Sequence, residues 1–218
     1  MFYIKKLIYL FVFVGYSVSF AGSYEDFFLA LDRGNVQQVQ QLLLRGFDPN
    51  SVNPKGEYAL VAALRQSSWE VAKLLIANPA TQVELRTVKD ESPLMLAAIK
   101  GQLEICRQLI ARNADVNKPG WTALHYAASG GKADVVQLLL DHYAYIDAES
   151  PNGSTPLMMA AMYGTTDTVK VLLAAGADPA LKNSQGLSAL DFAKRAGRQD
   201  AVALIAAALR GKVPEGSW

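Results

Sequence analysis

Residues 153–164 read GSTPLMMAAMYG, and the pattern of this stretch recurs four more times along the chain. In each copy a leucine follows a serine, threonine or tyrosine by two positions, an alanine lies three residues further on, and glycine or serine comes four residues after the alanine. The other copies are EYALVAALRQS (57–67), ESPLMLAAIKG (91–101), WTALHYAASGG (121–131) and LSALDFAKRAG (187–197). A frame that recurs at a nearly fixed period is the signature of a repeat protein. We therefore interpret GSTPLMMAAMYG as a repeated structural unit rather than a catalytic loop.

The spacing of the copies and the sequence between them predict the structure of one unit. With a weaker copy upstream, around Phe27 and Ala30, the Ser/Thr position of the frame falls at residues 25, 58, 92, 122, 155 and 188, in steps of 33, 34, 30, 33 and 33. A second segment follows each copy, as in LEICRQLIARNADVN (103–117), and its apolar residues have the spacing of one helix face. Each unit is therefore predicted to be a short helix, a turn, a longer helix and a loop. Stacking of neighbouring units buries the apolar face that one unit alone would expose.

Local chemistry predicts how these helices begin, pack and end. A serine or threonine before the first helix can cap it, with proline pre-set at the first helical position, as in Ser92-Pro93 and Thr155-Pro156. We expect the leucines of the frame to point inward and its alanines to let neighbouring helices approach closely. The leucines are Leu94, Leu124, Leu157 and Leu190, and the alanines are Ala97, Ala127, Ala160 and Ala193. The second helices should end at left-handed positions, namely Gly46, Asn113 and Gly176.

These motifs resemble those of the ankyrin-repeat family. Thr122–His125 (TALH) and Thr155–Leu157 (TPL) are similar to the T-P-L-H signature of that family. The segment Gly176–Asp178 (GAD) is similar to the family's second-helix ending. The resemblance spans residues 24–210 and implies an all-α ankyrin-repeat solenoid of about six helix-turn-helix repeats with short hairpin loops. It also implies that His125 forms hydrogen bonds between neighbouring repeats, a role that Met158 should lose in its own copy.

The expected domain organisation follows from the same frame. It comprises a signal peptide (1–21), an N-terminal capping repeat (22–54), four repeats (55–89, 90–119, 120–152 and 153–185), a C-terminal capping repeat (186–210) and a flexible tail (211–218). The 30-residue step shortens the loop Asn117–Trp121 by three residues. We therefore expect a truncated hairpin finger there, with a notch beside Trp121. The loop that follows residues 77–81 lacks the Gly-Ala-Asp ending and should be irregular. The alanine-rich last helix (200–209) should have an outer side that is only weakly polar or that contacts another surface.

The N-terminal segment has the three parts of a secretory signal peptide. Lys5 and Lys6 precede an apolar run, Leu7–Phe20, and Ser19 and Ala21 supply the small residues of a cleavage site. The run of 14 residues is shorter than the roughly 20 that a transmembrane helix needs. We therefore expect cleavage after Ala21 and export of the chain, with the bacterial periplasm as its compartment and secretion as the alternative. Retention of this segment as an anchor would instead make the chain a membrane-tethered adaptor.

Composition and motifs favour a protein without a catalytic, cofactor-binding or metal site. The formal net charge is +1, which gives no sign of nucleic-acid binding, and the single cysteine, Cys106, excludes a disulfide framework within the chain. Cys106 occupies an apolar slot of a second helix, where a small buried hydrophobe is expected. His142 should be a solvated cation at a helix end, and Trp69 should be a core residue. An enzyme or a ligand-carrying protein is the competing class, but it would need converging polar side chains that the sequence does not offer.

The resemblance implies protein binding through a concave face. In ankyrin proteins this face is built from the finger tips and the exposed ends of the first helices. Aromatic residues and methionine flanked by arginine and lysine have the composition of a protein-binding surface. The predicted partner-binding residues are Arg65, Lys100, Trp121, Met162, Tyr163 and Arg195. The expected partner is a protein, with no nucleic acid and, after signal cleavage, no membrane. The sequence indicates neither the identity of this partner nor the oligomeric state of the chain.

Overall fold

The computed structural model describes residues 22–211 of the 218-residue chain. The expected signal peptide (1–21) and residues 212–218 of the expected tail lie outside the described residues. The chain divides into two compact units, unit 1 up to Gln82 and unit 2 from Val83 onward, and each is described by itself. Within the described range the regular secondary structure is α-helical apart from two isolated bridges, which confirms the predicted all-α class. No helix in this range is both long and apolar enough to cross a membrane.

Both units consist of helix pairs, as the repeat frame predicts. Unit 1 contains α1 (22–32), α2 (Val36–Leu44), α3 (Ala59–Arg65) and α4 (Trp69–Ala77). Unit 2 contains α5 (Pro93–Ile99), α6 (Leu103–Ala111), α7 (Ala123–Ser129), α8 (Ala133–Asp141), α9 (Pro156–Tyr163), α10 (Thr166–Ala174), α11 (Ala189–Arg195) and α12 (Gln199–Gly211). In unit 2 the first helices of the repeats, α5, α7, α9 and α11, pack against one another in chain order, and the second helices form the adjoining layer. Helix α12 continues through Gly211, so the tail does not begin at that residue as expected.

Hydroxyl side chains cap the first helices of unit 2, as predicted. Oγ of Ser92 accepts the backbone N–H of Met95 at 3.3 Å, and Oγ1 of Thr155 accepts that of Met158 at 3.4 Å. Pro156 occupies the first turn of α9, where its missing N–H leaves no hydrogen bond unmade. The sulfur of Met158 also accepts the backbone N–H of Thr155 at 3.4 Å. Met158 therefore keeps a hydrogen-bonding role within its own repeat, which the sequence interpretation did not foresee.

The core follows the repeat frame up to its last copy. The frame leucines Leu94, Leu124 and Leu157 and the frame alanines Ala97, Ala127, Ala160 and Ala193 are fully buried. Leu190 is only half-buried, so the expectation that it points into the core is wrong. In the earlier copies the next first helix packs over this position, whereas no helix follows α12 within residues 22–211. Trp69 is also half-buried, as the first residue of α4, and is not the core residue that the sequence predicted.

Left-handed backbone follows the second helices at the predicted residues. The φ angles of Gly46, Asn113 and Gly176 are 89°, 62° and 98°. Tyr143 takes the equivalent position after α8, with a φ of 62° and a side chain that is 86% exposed. The left-handed conformation costs a residue with a side chain roughly 1–2 kcal/mol. Tyr143 is therefore a locally unfavourable residue at a position that glycine and asparagine fill in the other copies.

Hairpin fingers connect the repeats in four places. Each finger closes with a backbone hydrogen bond of 2.8–3.0 Å, in which the N–H of one residue donates to the carbonyl four residues later. The four donor–acceptor pairs are Asn53 with Glu57, Thr87 with Glu91, Ser150 with Ser154, and Asn183 with Leu187. Of the loops that the structure describes, Asn117–Trp121 has no such closing bond, in agreement with the truncated finger that its length predicts. Residues 79–92 contain turns but no helix or strand, as expected for the irregular loop.

Candidate protein-binding surface

Unit 2 presents one strip of side chains along its four first helices. Residues that lie three and four positions apart on a helix share a face, and the positions two, five and six residues after each frame leucine meet this condition. We define these residues as the first-helix strip. Its members are Leu96, Ile99 and Lys100; Tyr126, Ser129 and Gly130; Met159, Met162 and Tyr163; and Phe192, Arg195 and Ala196. Every other residue of α5, α7 and α9 is buried, so these helices meet solvent only through the strip.

Two glycines let the C-terminal ends of neighbouring first helices approach closely. A Cβ atom on Gly130 would lie 2.5 Å from the carbonyl oxygen of Ile99, and one on Gly164 would lie 2.4 Å from the carbonyl oxygen of Ala128. Gly164 has a φ of −79°, which any residue can adopt. Gly164 directly follows the last residue of α9, and the backbone of the preceding repeat leaves no room for a side chain there.

The strip is apolar at its centre and basic at both ends. Tyr163 is 64% exposed at the end of α9. Met162, which precedes it, and Phe192, on the next first helix, are both half-buried. Ser129 and Gly130, at the end of α7, are small and half-buried. Lys100 and Arg195 are exposed at the ends of α5 and α11. This combination of aromatic, methionine and flanking basic side chains is enriched at protein-binding surfaces.

Four of the six predicted partner-binding residues lie on the strip: Lys100, Met162, Tyr163 and Arg195. Trp121 does not, because it precedes α7, whose seven residues separate it by about 10 Å from the helix end. Its half-buried ring meets that of His125 edge-on, with 5.3 Å between the ring centroids. Arg65 belongs to unit 1, where it forms an ion pair of 2.5 Å with Glu57. The structure therefore gathers four of the predicted residues on one surface and leaves the other two elsewhere.

Lys118 closes the truncated finger beside Trp121. Its side chain is 3% exposed, and its Nζ donates to the carbonyl oxygens of Pro119 at 2.9 Å and Trp121 at 3.0 Å. The same Nζ forms an ion pair of 2.6 Å with Oδ2 of Asp90. Lys118, and then Arg86, hold the pKa of the Asp90 carboxyl below its usual value. The expected notch is thus crossed by a buried lysine that ties the short loop to the preceding finger.

His125 is a structural residue, as the resemblance implied. Its Nδ1 accepts the backbone N–H of Thr122 at 3.2 Å, which leaves the proton on Nε2, and Nε2 lies 2.9 Å from the carbonyl oxygen of Ser154 in the next repeat. Burial lowers the pKa of His125 to about 4, so the ring is neutral at physiological pH. Its two nitrogens are occupied by the backbone, which leaves no atom to approach a substrate.

The other titratable groups singled out by the sequence also lack the environment of an active site. Burial, with a smaller contribution from Asp134, raises the pKa of the Cys106 thiol to about 12, so no reactive thiolate forms. His142 is exposed at the end of α8, as expected. Within residues 22–211, no group of three or more His, Cys, Asp or Glu side chains could hold a metal ion.

Sequence reasoning missed the middle of the strip. Leu96, Tyr126, Met159 and Phe192 lie two residues after the frame leucines. Tyr126 and Phe192 are half-buried and contribute to the surface, whereas Leu96 and Met159 are buried. The hydroxyl of Tyr126 donates to Oε1 of Glu91 at 3.2 Å, which fixes its ring on the surface. The signal was present in the aligned copies, because this position is large and apolar in each repeat of unit 2. Sequence reasoning assigned this position no role, because spacing alone does not show which of its copies stay exposed.

Comparisons with known proteins agree with the helix-pair architecture. A family model of ankyrin repeats matches residues 27–119, 80–150 and 144–212. The ankyrin repeat and SAM domain-containing protein 6 of Rattus norvegicus is 32% identical over 134 residues, which are 59% of this chain and 15% of that protein. The 2-5A-dependent ribonuclease of Mus musculus is 36% identical over 85 residues, which are 37% of this chain and 12% of that protein. The chain therefore spans only a small part of the length of these relatives.

A solved structure is similar to most of the chain. The crystal structure of an ankyrin repeat domain from Acinetobacter baumannii covers 84% of this chain and 96% of its own, with a TM-score of 0.72 and 26% sequence identity. This similarity confirms the predicted repeat solenoid. Ankyrin repeats generally mediate protein–protein interaction, and their fold is typically a binding module rather than an enzyme. Since the family model matches nearly all of the described residues, the chain belongs to the ankyrin-repeat family.

Proposed function

We propose that this chain is an exported scaffold that binds a protein partner through the first-helix strip of unit 2. The observation that carries the proposal is the strip itself. Three consecutive first helices meet solvent only through the strip, where Tyr126, Met162 and Tyr163 remain at least partly exposed although Leu96 and Met159 are buried. Tyr163, at 64% exposure, is an anchor of the kind that dominates binding energy at protein interfaces.

The architecture supports this surface because it is held rigid before any partner arrives. The strip lies on packed helices whose ends are capped, and His125 ties one repeat to the next. A preorganised surface loses little side-chain and backbone entropy on association, which leaves more of the contact energy as affinity. The partner is expected to place an apolar side chain against Met162 and Tyr163 and acidic groups near Lys100 and Arg195.

The experiment begins with affinity capture from the native compartment and identification of the captured protein by mass spectrometry. The dissociation constant of its complex with this chain is then measured for wild type and variants. Tyr163→Ala should weaken binding by tenfold or more, equivalent to about 1.4 kcal/mol. Tyr145→Ala is the matched control, because Tyr145 is 67% exposed on the loop after α8, away from the strip. Equal affinity of both variants and wild type would exclude the strip. A loss confined to Trp121→Ala would assign binding to the finger side of α7 instead.

Export is a separate part of the proposal, supported by the charge and hydropathy pattern of residues 1–21. N-terminal sequencing of the protein isolated from a periplasmic fraction should give a chain that starts at Gly22. A chain that keeps residues 1–21 and remains with the membrane fraction would instead support the tethered adaptor.

A further inference from the structure

The loop that follows α8 departs from the repeat frame at two positions. In three other copies the first position is glycine or asparagine and the second, two residues later, is aspartate: Gly46 and Asp48, Asn113 and Asp115, and Gly176 and Asp178. In the loop after α8, Tyr143 and Tyr145 occupy these two positions. We define residues 141–149, which read DHYAYIDAE, as the tyrosine loop.

Both tyrosines are unfavourable for the fold of their own loop. Tyr143 has the left-handed backbone, with a φ of 62°, that glycine tolerates best. The aspartates equivalent to Tyr145 each accept the backbone N–H two residues later at 2.9 Å, and the oxygen of a tyrosine lies too far from its own backbone to do so. The two side chains are 86% and 67% exposed, so little packing offsets these losses. Large side chains that break local rules without packing in return indicate a function.

The backbone that carries the two tyrosines is held in place by the preceding repeat. Nδ2 of Asn117 donates to the carbonyl oxygen of Tyr143 at 2.8 Å, and Oδ1 of Asn117 accepts the backbone N–H of Tyr145 at 2.8 Å. Ala144, between the two tyrosines, is buried. The rings therefore extend from a fixed backbone, and a partner that binds them restricts little more than the side-chain rotamers.

The tyrosine loop lies apart from the first-helix strip. Helix α8 follows α7 after a three-residue turn and packs against it, so its last residues lie beside the start of α7. The contacts of Asn117, which precedes α7, agree with this placement. The strip residues Ser129 and Gly130 lie at the other end of α7, about 10 Å away along its seven residues. The loop is therefore a separate surface of unit 2.

The charge of the tyrosine loop is negative. The loop contains three carboxylates and neither lysine nor arginine, whereas the equivalent segments 111–119 and 174–182 each contain at least one basic residue. Asp141 and Glu149 are exposed at the two ends of the loop. The side-chain amide of Gln137, which donates to Oδ1 of Asp141 at 2.8 Å, is itself neutral. Exposed tyrosines are thus flanked on both sides by exposed carboxylates.

This combination of charge and aromatic rings selects one kind of occupant. Phosphates of a nucleic acid or of a membrane surface, and the same loop of a second copy, carry the same sign of charge and are repelled. A cationic side chain is attracted both by the carboxylates and by the faces of the tyrosine rings. Arginine fits better than lysine, because its planar guanidinium can stack on a ring while it donates to a carboxylate.

We propose that the tyrosine loop is a second binding surface, which takes a basic, arginine-containing segment of a protein. Tyr143 and Tyr145 stack on the guanidinium groups, and Asp141 and Glu149 pair with their charge. The strip, with its basic ends, is expected to bind acidic groups instead. The two surfaces therefore take partners of opposite charge, and a partner captured by the strip is not expected to respond to Tyr145→Ala.

Two short peptides test the proposal directly. Acetyl-Gly-Arg-Gly-Arg-Gly-amide and its glutamate counterpart are titrated into the ¹⁵N-labelled chain through the millimolar range, and the backbone amide shifts are followed. The arginine peptide should shift the amides of residues 141–149 saturably, and added salt should weaken its binding. The glutamate peptide should leave these amides unchanged. An arginine peptide that does not shift the loop, or a glutamate peptide that shifts it equally, overturns the proposal.

A frame-restoring variant separates aromatic recognition from charge attraction. Tyr143→Asn/Tyr145→Asp introduces the residues of the copy at 113 and 115, so it should fold at least as stably as wild type. It adds one negative charge, yet it should bind the arginine peptide about fivefold more weakly or worse, because both ring contacts are lost. Equal or tighter binding by this variant would show attraction by charge alone and overturn the proposal.

Two further measurements complete the test. Gln185→Glu makes the same change in net charge at an exposed position of a finger and should bind the arginine peptide as wild type does. Equal weakening by this variant and by the double variant would overturn the role of the tyrosines. A chitotriose titration that shifts residues 141–149, where the arginine peptide does not, would assign the tyrosines to carbohydrate and overturn the proposal as well.

Discussion

His125 should make the stability of unit 2 depend on pH in a window set by its burial. The pKa of this histidine falls from its ordinary 6.5 to about 4 because burial disfavours the charged ring, and Lys118 adds to this effect. A group with a lowered pKa in the folded state binds its proton more readily in the unfolded state. The stabilisation is therefore complete above about pH 6.5, is lost as the pH falls toward about 4, and changes no further below that value.

The magnitude follows from the two pKa values. Each pKa unit corresponds to 1.36 kcal/mol, so the difference between 6.5 and about 4 amounts to about 3 kcal/mol of unfolding free energy. About 2 kcal/mol of this should already be lost between pH 7 and about pH 5, where the folded ring is still mostly neutral.

His125→Met is the substitution that isolates this effect. Methionine occupies the equivalent position in the repeats before and after, as Met95 and Met158, where its sulfur accepts the backbone N–H of the capping residue at 3.3 and 3.4 Å. The variant should keep that local contact and lose the hydrogen bond to the carbonyl of Ser154. At neutral pH the variant should therefore be less stable than wild type by about 1 kcal/mol.

The assay is urea denaturation of wild type and His125→Met at neutral pH and near pH 5, followed by circular dichroism. Carboxylates titrate in both proteins and cancel in the difference. Near pH 5 the unfolded state of wild type gains a proton on residue 125 while the folded state stays mostly neutral, and the variant has no such group. The order of stability should therefore reverse near pH 5, with the variant ahead by about 1 kcal/mol. Parallel loss of stability in the two proteins between these pH values would refute the reasoning.

Four further substitutions or reactions test other parts of the structure. Gly164→Ala should lower the unfolding free energy by about 1–3 kcal/mol, because the new methyl group meets a carbonyl oxygen of the preceding repeat, and an unchanged urea midpoint would contradict this. Tyr143→Asn should relieve left-handed strain, raising the unfolding free energy by up to about 1 kcal/mol and with it the thermal midpoint. A lower midpoint would show that the tyrosine ring stabilises the loop. Lys118→Met should lower the unfolding free energy by about 1–3 kcal/mol, because it removes the ammonium group that donates to two backbone carbonyls and pairs with Asp90. A denaturation curve that matches wild type would exclude this role. The Cys106 thiol should react with a thiol reagent only in denaturant, and rapid modification of the folded chain would contradict its burial and raised pKa.

The fold could be predicted in detail from the sequence because each repeat obeys local rules and repeats them. Helix starts follow from a hydroxyl residue before proline or alanine, and helix ends follow from residues that adopt left-handed backbone. The buried alanines could be predicted from their fixed distance to the frame leucine, since neighbouring copies pack in the same register. The truncated finger could be predicted from loop length alone.

The errors have a common physical origin in neighbours that the local pattern does not contain. Leu190 has the same local sequence frame as Leu157, but its burial depends on whether another helix pair packs against it. Gly164 ends its helix as the frame indicates, but only the structure shows that its small size is required by the backbone of the preceding repeat. Trp69 has the spacing of a core residue, yet it begins a helix and stays half-exposed.

Some features of the candidate site could likewise be predicted from the sequence, and others only from the structure. The sequence alone determined the helix pairs, their caps and the four strip residues at or next to the helix ends, because these depend on spacing within one copy. Only the tertiary structure decided that Tyr126 and Phe192 continue the same surface, that Trp121 lies at the other end of its helix, and that Lys118 fills the notch. Exposure and long-range contact are properties of packed neighbours, and each residue acquires them only when its repeat is stacked on the next.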